Sequence, residues 1–260
     1  MYPHNRFTHA LTRTPTDNLS AGLTSQTIGA PDMALAYQQH TAYQDALRAC
    51  GLSVTALAGD PTYPDGCFVE DAAVIYGDLV VITQPGALSR RGEADAIAAA
   101  FAHRPLIRLT GEAYLDGGDV LFCADRVLIG LSERTNRAGA TALRNALRDY
   151  DSAVRVEFVP ISGVLHLKTG VTELAPGVLV FSPLMQTEAD FSFAECHTLP
   201  EREWHGANLV PINDSLLIMQ GYPTVTELAA KHARTVHTLA MSEFEKMDGS
   251  LSCLSLRYHA

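Results

Sequence analysis

The most restrictive feature of this sequence is a repeat. An apolar strand, a tight turn, a second apolar strand and a helix-like run recur along it. The first copy reads FVEDAAVIYGDLVVITQPGALSRRGEADAIAAAFAHRP, with its turn at Gly77 and Asp78. β-branched residues and turn residues mark its strands, and an Ala- and Glu-rich run marks its helix. The second copy, GGDVLFCADRVLIGLSERTNRAGATALRNALRDY, turns at CADR. The third, LHLKTGVTELAPGVLVFSPL, turns at Pro176 and Gly177, and its helix is weakly marked. The fourth, ANLVPINDSLLIMQGYPTVTELAAKHAR, carries Thr224 and Glu227 at the spacing of a capping box, which predicts a helix start there. The copies lie roughly 40–50 residues apart, a period typical of repeat architectures.

Near the end, SLSCLSLRY looks like the first strand of a fifth copy that has no helix after it. A matching helix lies at the other end of the chain, PDMALAYQQHTAYQDALRACG, with Pro31 near its start and Gly51 at its stop. The expectation is a ring of five strand–strand–helix units in a single domain spanning 1–260, the fifth unit closed by both ends. Equivalent strands of such a ring line its axis. Polar residues interrupt those first strands in CFVED, LDGGDV, LHLKTG, GANLVP and SLSCLS. A polar group on a buried strand is costly unless it is paired or used. Asp71, Asp116, Asp119, His166 and Cys253 are therefore expected to converge on one central site.

A thiol, a histidine and carboxylates suffice for nucleophilic catalysis: the thiolate attacks, the histidine moves protons, and a carboxylate orients the histidine. Asp116 or Asp119 could do the orienting. Asp65, Glu70 and Asp71 form an acidic set that asks for a cation. On a regular strand Glu70 and Asp71 would face opposite ways, so a bulge or a strand end is needed for both to meet one ligand. A planar guanidinium suits paired carboxylates. Arg90 in LSRRGE and Arg134 in LSERTN lie in loops before helices and could clamp a carboxylate. Acids at one end and arginines at the other describe an arginine derivative.

The formal net charge of -10 disfavours nucleic acid as a partner. No apolar run reaches membrane-spanning length, and MYPHNRFTHALTRTPTD lacks the apolar core of a signal peptide, so a cytoplasmic protein is expected. The five cysteines include no CxxC pair, which supports neither a disulfide framework nor a structural zinc site.

PDGCFVED, PGALSRRGE, LDGGDVL, GLSERTN, LHLKTG and DGSLSCLSLRY occur in that order. Together they resemble the dimethylarginine dimethylaminohydrolase family of the guanidine-modifying superfamily, from Arg13 to the final SLRY. The resemblance implies an α/β fold, a five-fold pseudosymmetric α/β propeller, and hydrolysis of methylated arginines to citrulline and a methylamine. It makes Cys253 the nucleophile, His166 the general acid/base and Asp116 the carboxylate that orients it. Bacterial relatives often have Glu at that place. Asp65, Glu70 and Asp71 would hold substrate, the last two at the guanidinium. Arg90 and Arg134 would take the α-carboxylate, main-chain carbonyls near Leu23 and Met247 the α-amino group, and Phe68 would wall the pocket. No metal or cofactor is implied, and a homodimer is left open. Arginine deiminases resemble the pattern with an Arg where Glu70 stands and with an extra helical insertion. A non-enzymatic propeller would not need the thiol, histidine and carboxylates together.

Overall fold

The structure, a computed structural model, describes residues 6–260. The chain begins with β1 (His9–Arg13), α1 (Met33–Ala49) and β2 (Ser53–Leu57). Next come β3 (Ala73–Tyr76), β4 (Leu79–Ile82), α2 (Ala94–Ala100) and β5 (Leu106–Arg108). The following unit holds β6 (Val120–Phe122), β7 (Val127–Leu131), α3 (Arg137–Tyr150) and β8 (Val156–Pro160). A one-turn helix α4 (Leu167–Gly170) leads into β9 (Val171–Ala175), β10 (Val178–Phe181) and β11 (Glu195–Thr198). Then follow β12 (Val210–Ile212), β13 (Ser215–Met219), α5 (Pro223–His232), β14 (Thr235–Leu239), a short α6 (Ser242–Glu245) and β15 (Leu256–Tyr258).

Among the described residues these strands form five sheets of three: β15-β1-β2, β3-β4-β5, β6-β7-β8, β9-β10-β11 and β12-β13-β14. In each sheet the first two strands are antiparallel and the third is parallel to the second. A hairpin turn joins an antiparallel pair, whereas a parallel strand needs a crossover, which a helix supplies in four of the five units. This is the expected five-fold α/β propeller, its last sheet built from both ends of the chain.

Each unit is one strand richer than the strand–strand–helix reading. The extra strands, such as SVTAL in β2 and ECHT in β11, are short and largely exposed at the sheet edges, so they show little of the apolar signal that marks the inner pair. In the third unit the crossover at 182–194 is a loop rather than a helix, packed by the rings of Phe181 and Phe191, which meet edge to face at 5.0 Å.

The middle strands carry the core: Val80, Val81 and Ile82 of β4, and Val127, Leu128 and Ile129 of β7, are buried on both faces. One stripe of α3, Ala140, Leu143 and Leu147, closes on this layer at helical spacing. Asn136 caps that helix by accepting from the Gly139 N–H at 2.8 Å, and Asp32 does the same for α1 from Leu35 at 3.1 Å. Each such cap stabilises by about 1 kcal/mol.

The capping box expected at Thr224 and Glu227 does not form. Pro223 occupies the first turn of α5, where its missing N–H costs nothing, and this moves the start back to Tyr222. Buried Glu203 takes over the capping, accepting from Thr224 N at 2.8 Å and Thr224 Oγ1 at 3.1 Å.

Candidate active site

The polar motifs do not lie on the first strands, as the alternation of the sequence suggested. They lie on or beside short helical segments that lead into those strands: single turns at Val69–Ala72, Gly117–Asp119, Leu167–Gly170 and Ser252–Leu254, and a longer stretch kinked at Glu203, Glu201–Ala207. Asp116 and His166 sit at the first edges of their turns, and Cys253 is the middle residue of its own. A 3-10 turn rotates successive residues by roughly 120° rather than the 180° of a strand. Neighbours such as Glu70 and Asp71 can then both point inward, and both are buried.

His166 is the best-anchored group. Its Nε2 lies 3.0 Å from Asp116 Oδ2, and its Nδ1 is 4.0 Å from Asp71 Oδ1. Asp116 is fixed in turn, with Oδ1 accepting from Gly86 N at 2.8 Å. Of the two aspartates in DGGD, only Asp116 touches the ring; Asp119 accepts from Leu167 N at 2.8 Å and from Ser132 Oγ at 2.6 Å, holding the backbone beside it. A Cβ on Gly118 would stand 2.7 Å from His166 Nδ1 and 2.8 Å from Asp71 Oδ1, so a side chain there would displace both.

A narrow cavity gathers Leu23, Asp65, Phe68, Asp71, Arg90, Arg134, His166, Met247 and Cys253. Asp116 stands behind His166, outside that lining. Glu70 is also outside it: its carboxylate receives Lys168 Nζ at 2.6 Å, Ser252 Oγ at 2.7 Å and Arg257 Nη2 at 3.4 Å. Glu70 and Lys168 instead line a larger cavity of about 920 Å³, bordered by Val120 and Tyr258, which contains neither Cys253 nor His166.

The two arginines differ. Arg90 is buried and gives Nη1 to Asp71 at 2.6 Å, with Nε and Nη2 on Glu93 at 3.0 and 2.8 Å. Arg134 is half-buried, and its guanidinium makes no hydrogen bond or ion pair among the described residues. Asp65 accepts from Leu23 N through both oxygens at 3.1 Å.

Charge follows from these contacts. Burial opposes a charged imidazole, but Asp71, Asp116 and Asp119 outweigh it and raise the His166 pKa to about 9. Asp71 is buried too, yet His166 and Arg90 hold it down to about 2. Burial, Glu70 and Asp71 together push the Cys253 thiol up to about 12. At neutral pH the resting site is an imidazolium beside a neutral thiol.

The raised His166 pKa makes stability depend on pH. Its contribution is complete below about 6.5, the unfolded value, and is lost as pH rises through about 9. The loss amounts to on the order of 3 kcal/mol. Urea unfolding at pH 6 and pH 9.5 is expected to show this fall, and His166→Ala to flatten it. An equal fall in that variant would assign the alkaline lability elsewhere.

Donor atoms of Asp71, Asp116 and His166 lie within 4.8 Å of one another, a spacing a cation could bridge. All four carboxylate oxygens of that set already accept from Arg90, Gly118, Gly86 or His166.

Three contributors escaped the sequence reading. Lys168 lies inside LHLKTG, two residues from His166, and its pairing with Glu70 required the ring to close. Glu93, three residues after Arg90, had a local signal in its helical spacing. Asp248 accepts from Ser25 N at 2.5 Å, Ser25 Oγ at 3.0 Å and Gln26 Nε2 at 2.6 Å, so it pins the segment beside Leu23.

Five such sheets bring a cysteine, a histidine and carboxylates to one cavity, an arrangement that suits an enzyme working through a thiolate. The arginine deiminase family model matches residues 60–198. N(G),N(G)-dimethylarginine dimethylaminohydrolase of Pseudomonas aeruginosa is 37% identical over 97% of this chain and 100% of its own length. The enzyme of the same name from Streptomyces coelicolor is 37% identical over 95% of this chain and 96% of its own. The solved P. aeruginosa structure, a cysteine-to-serine mutant complexed with citrulline, superposes with a TM-score of 0.91 at 34% identity, over 97% of this chain and 100% of that one. This chain belongs to the dimethylarginine dimethylaminohydrolase family, within the arginine deiminase superfamily. Among the described residues, no helix is long and apolar enough to cross a membrane.

Proposed function

We propose that this protein hydrolyses Nω-methylated arginines, dimethylarginine and monomethylarginine, to citrulline and the corresponding methylamine. Cys253 is the nucleophile, His166 the general acid and base, and Asp116 the group that holds the His166 ring. The observation that carries the reading is that Cys253, Asp71 and an Asp116-bound His166 border one cavity. The two relatives of that name support the substrate class.

In this mechanism Asp71 faces the substrate guanidinium, with Glu70 behind it. The incoming positive charge offsets the field of Glu70 and Asp71 that keeps the resting thiol neutral. The thiol proton leaves to solvent, and the thiolate adds to the guanidinium carbon. His166, charged at neutral pH, gives its proton to the departing amine as the C–N bond breaks. A thiouronium ester remains on Cys253. His166, now neutral, takes a proton from water, and the hydroxide adds to the same carbon. The C–S bond breaks, citrulline loses its last proton to solvent, and, as it leaves, the thiolate takes a proton back from solvent. At the other end Arg134, whose guanidinium has no partner among the described residues, takes the α-carboxylate, and the carbonyls of Leu23 and Met247 take the α-ammonium; Arg90, held by Asp71 and Glu93, fixes the wall between the two ends. Phe68 walls the aliphatic stem. No step uses a metal or cofactor.

Citrulline release from purified protein, offered asymmetric dimethylarginine and arginine in parallel, tests this. Release from the methylated substrate is the expected result. Preference for arginine would keep the nucleophile but overturn the reading of the acidic pocket. Release from neither, with folded protein, would overturn the function.

A further inference from the structure

Of the five polar motifs, GANLVP of the fourth unit is the one that supplies neither a side chain lining the cavity nor a partner for the His166 ring. We infer that its asparagine, Asn208, is a positioning residue for the nucleophile. The inference rests on Cys253 acting as proposed above.

Asn208 is 1% exposed and follows the helical stretch Glu201–Ala207. Its Oδ1 accepts from Ser252 N at 3.0 Å. Its Nδ2 donates to Lys168 O and to Ser252 Oγ, both at 2.9 Å. The orientation of the carboxamide is dictated by its partners: a backbone N–H can only donate and a carbonyl can only accept. Ser252 Oγ, having accepted from Asn208, has its own proton for Glu70 Oε2 at 2.7 Å. Lys168 Nζ meets the other oxygen of Glu70 at 2.6 Å.

One side chain therefore spans two turns. Ser252 shares its single turn with Cys253, and Lys168 lies on the turn that His166 opens. The Asn208 carboxamide sets the spacing between the thiol and the imidazole without touching either. Aspartate could not replace it, because a carboxylate cannot donate to Lys168 O and would add a charge beside Glu70. An apolar residue would leave the buried Ser252 N–H without a partner, which is costly.

Misplacement by about 1 Å can lower a rate by about 10²-fold. Asn208→Ala and Ser252→Ala are each expected to lower kcat for citrulline release by roughly 10- to 100-fold, with KM within about threefold of the parent. Asn208→Ala removes all three bonds of the carboxamide, whereas Ser252→Ala keeps Ser252 N and Lys168 O on Asn208 and removes only the Oγ bonds to Asn208 and Glu70. The two share the Oγ bond, so their losses are expected to fall short of multiplying in the double variant. If Asn208→Ala does not fold, Ser252→Ala carries the same expectation. A folded single variant with kcat within about twofold of the parent, or losses that multiply in the double variant, would overturn the inference. A parent that releases no citrulline overturns the functional reading instead. The positional claim is then read from alkylation of Cys253 by iodoacetamide, followed by mass spectrometry. Asn208→Ala is expected to speed it by at least about threefold by loosening the turn, and an unchanged rate would overturn the claim.

Discussion

Cys253→Ser is expected to lower kcat by roughly 10⁴-fold or more while leaving the fold and substrate binding in place. The exchange replaces sulfur by oxygen on the same turn, so packing changes little. What changes is the ease of making an anion. The thiol already sits at about 12 in the resting site, because burial, Glu70 and Asp71 oppose its ionisation. A bound guanidinium can offset that field for a thiol, but a hydroxyl starts from a far higher pKa and stays protonated. Steady-state kinetics beside a thermal melt make the comparison. Turnover within about tenfold of the parent, from a variant free of reverted protein, would remove Cys253 from the mechanism.

His166→Ala has a second and different signature. Loss of general acid and base help is expected to lower kcat by roughly 10²–10⁴-fold. In the proposed sequence the same ring serves twice, first giving a proton to the amine and then taking one from water. If the first step survives slowly, the thiouronium ester accumulates, and intact-protein mass spectrometry would find the substrate carbon skeleton, less the amine, on Cys253. The variant also leaves Asp116 without its partner at 3.0 Å, so some loss of stability below pH 6.5 should accompany the kinetic defect. Rapid and complete turnover by this variant would exclude the role.

Much of the ring was legible because it rests on local signals. Turn residues such as Gly77, which adopts a φ of +58°, and Gly177, at +76°, mark hairpins between strands dense in Val, Ile and Leu. The third strands were not legible, because they are short, half-exposed edges whose pairing is fixed by the helix that delivers them. The helical turns before the first strands were missed for a similar reason. A single turn of residues such as SCL or VED has no period to read, and it borrows its pattern from the strand that follows. In the candidate site, the grouping of Cys253, His166, Asp71 and Asp116 followed from their equivalent places in successive units. The partners of Glu70 and Arg90 did not, since Lys168, Ser252 and Arg257 reach Glu70 from distant parts of the chain.

The sheet that joins both ends of the chain also times the birth of the cavity. β1 pairs with β15, so the turn carrying Cys253 leads into a strand separated from its partner by the other four sheets. Closing so long a loop is entropically expensive until its contacts form. The other four sheets can assemble before β1 and β15 meet. The ring and the turn that holds its thiol are then completed in one late event, and a chain in which β1 and β15 have not met carries no assembled thiol–imidazole pair.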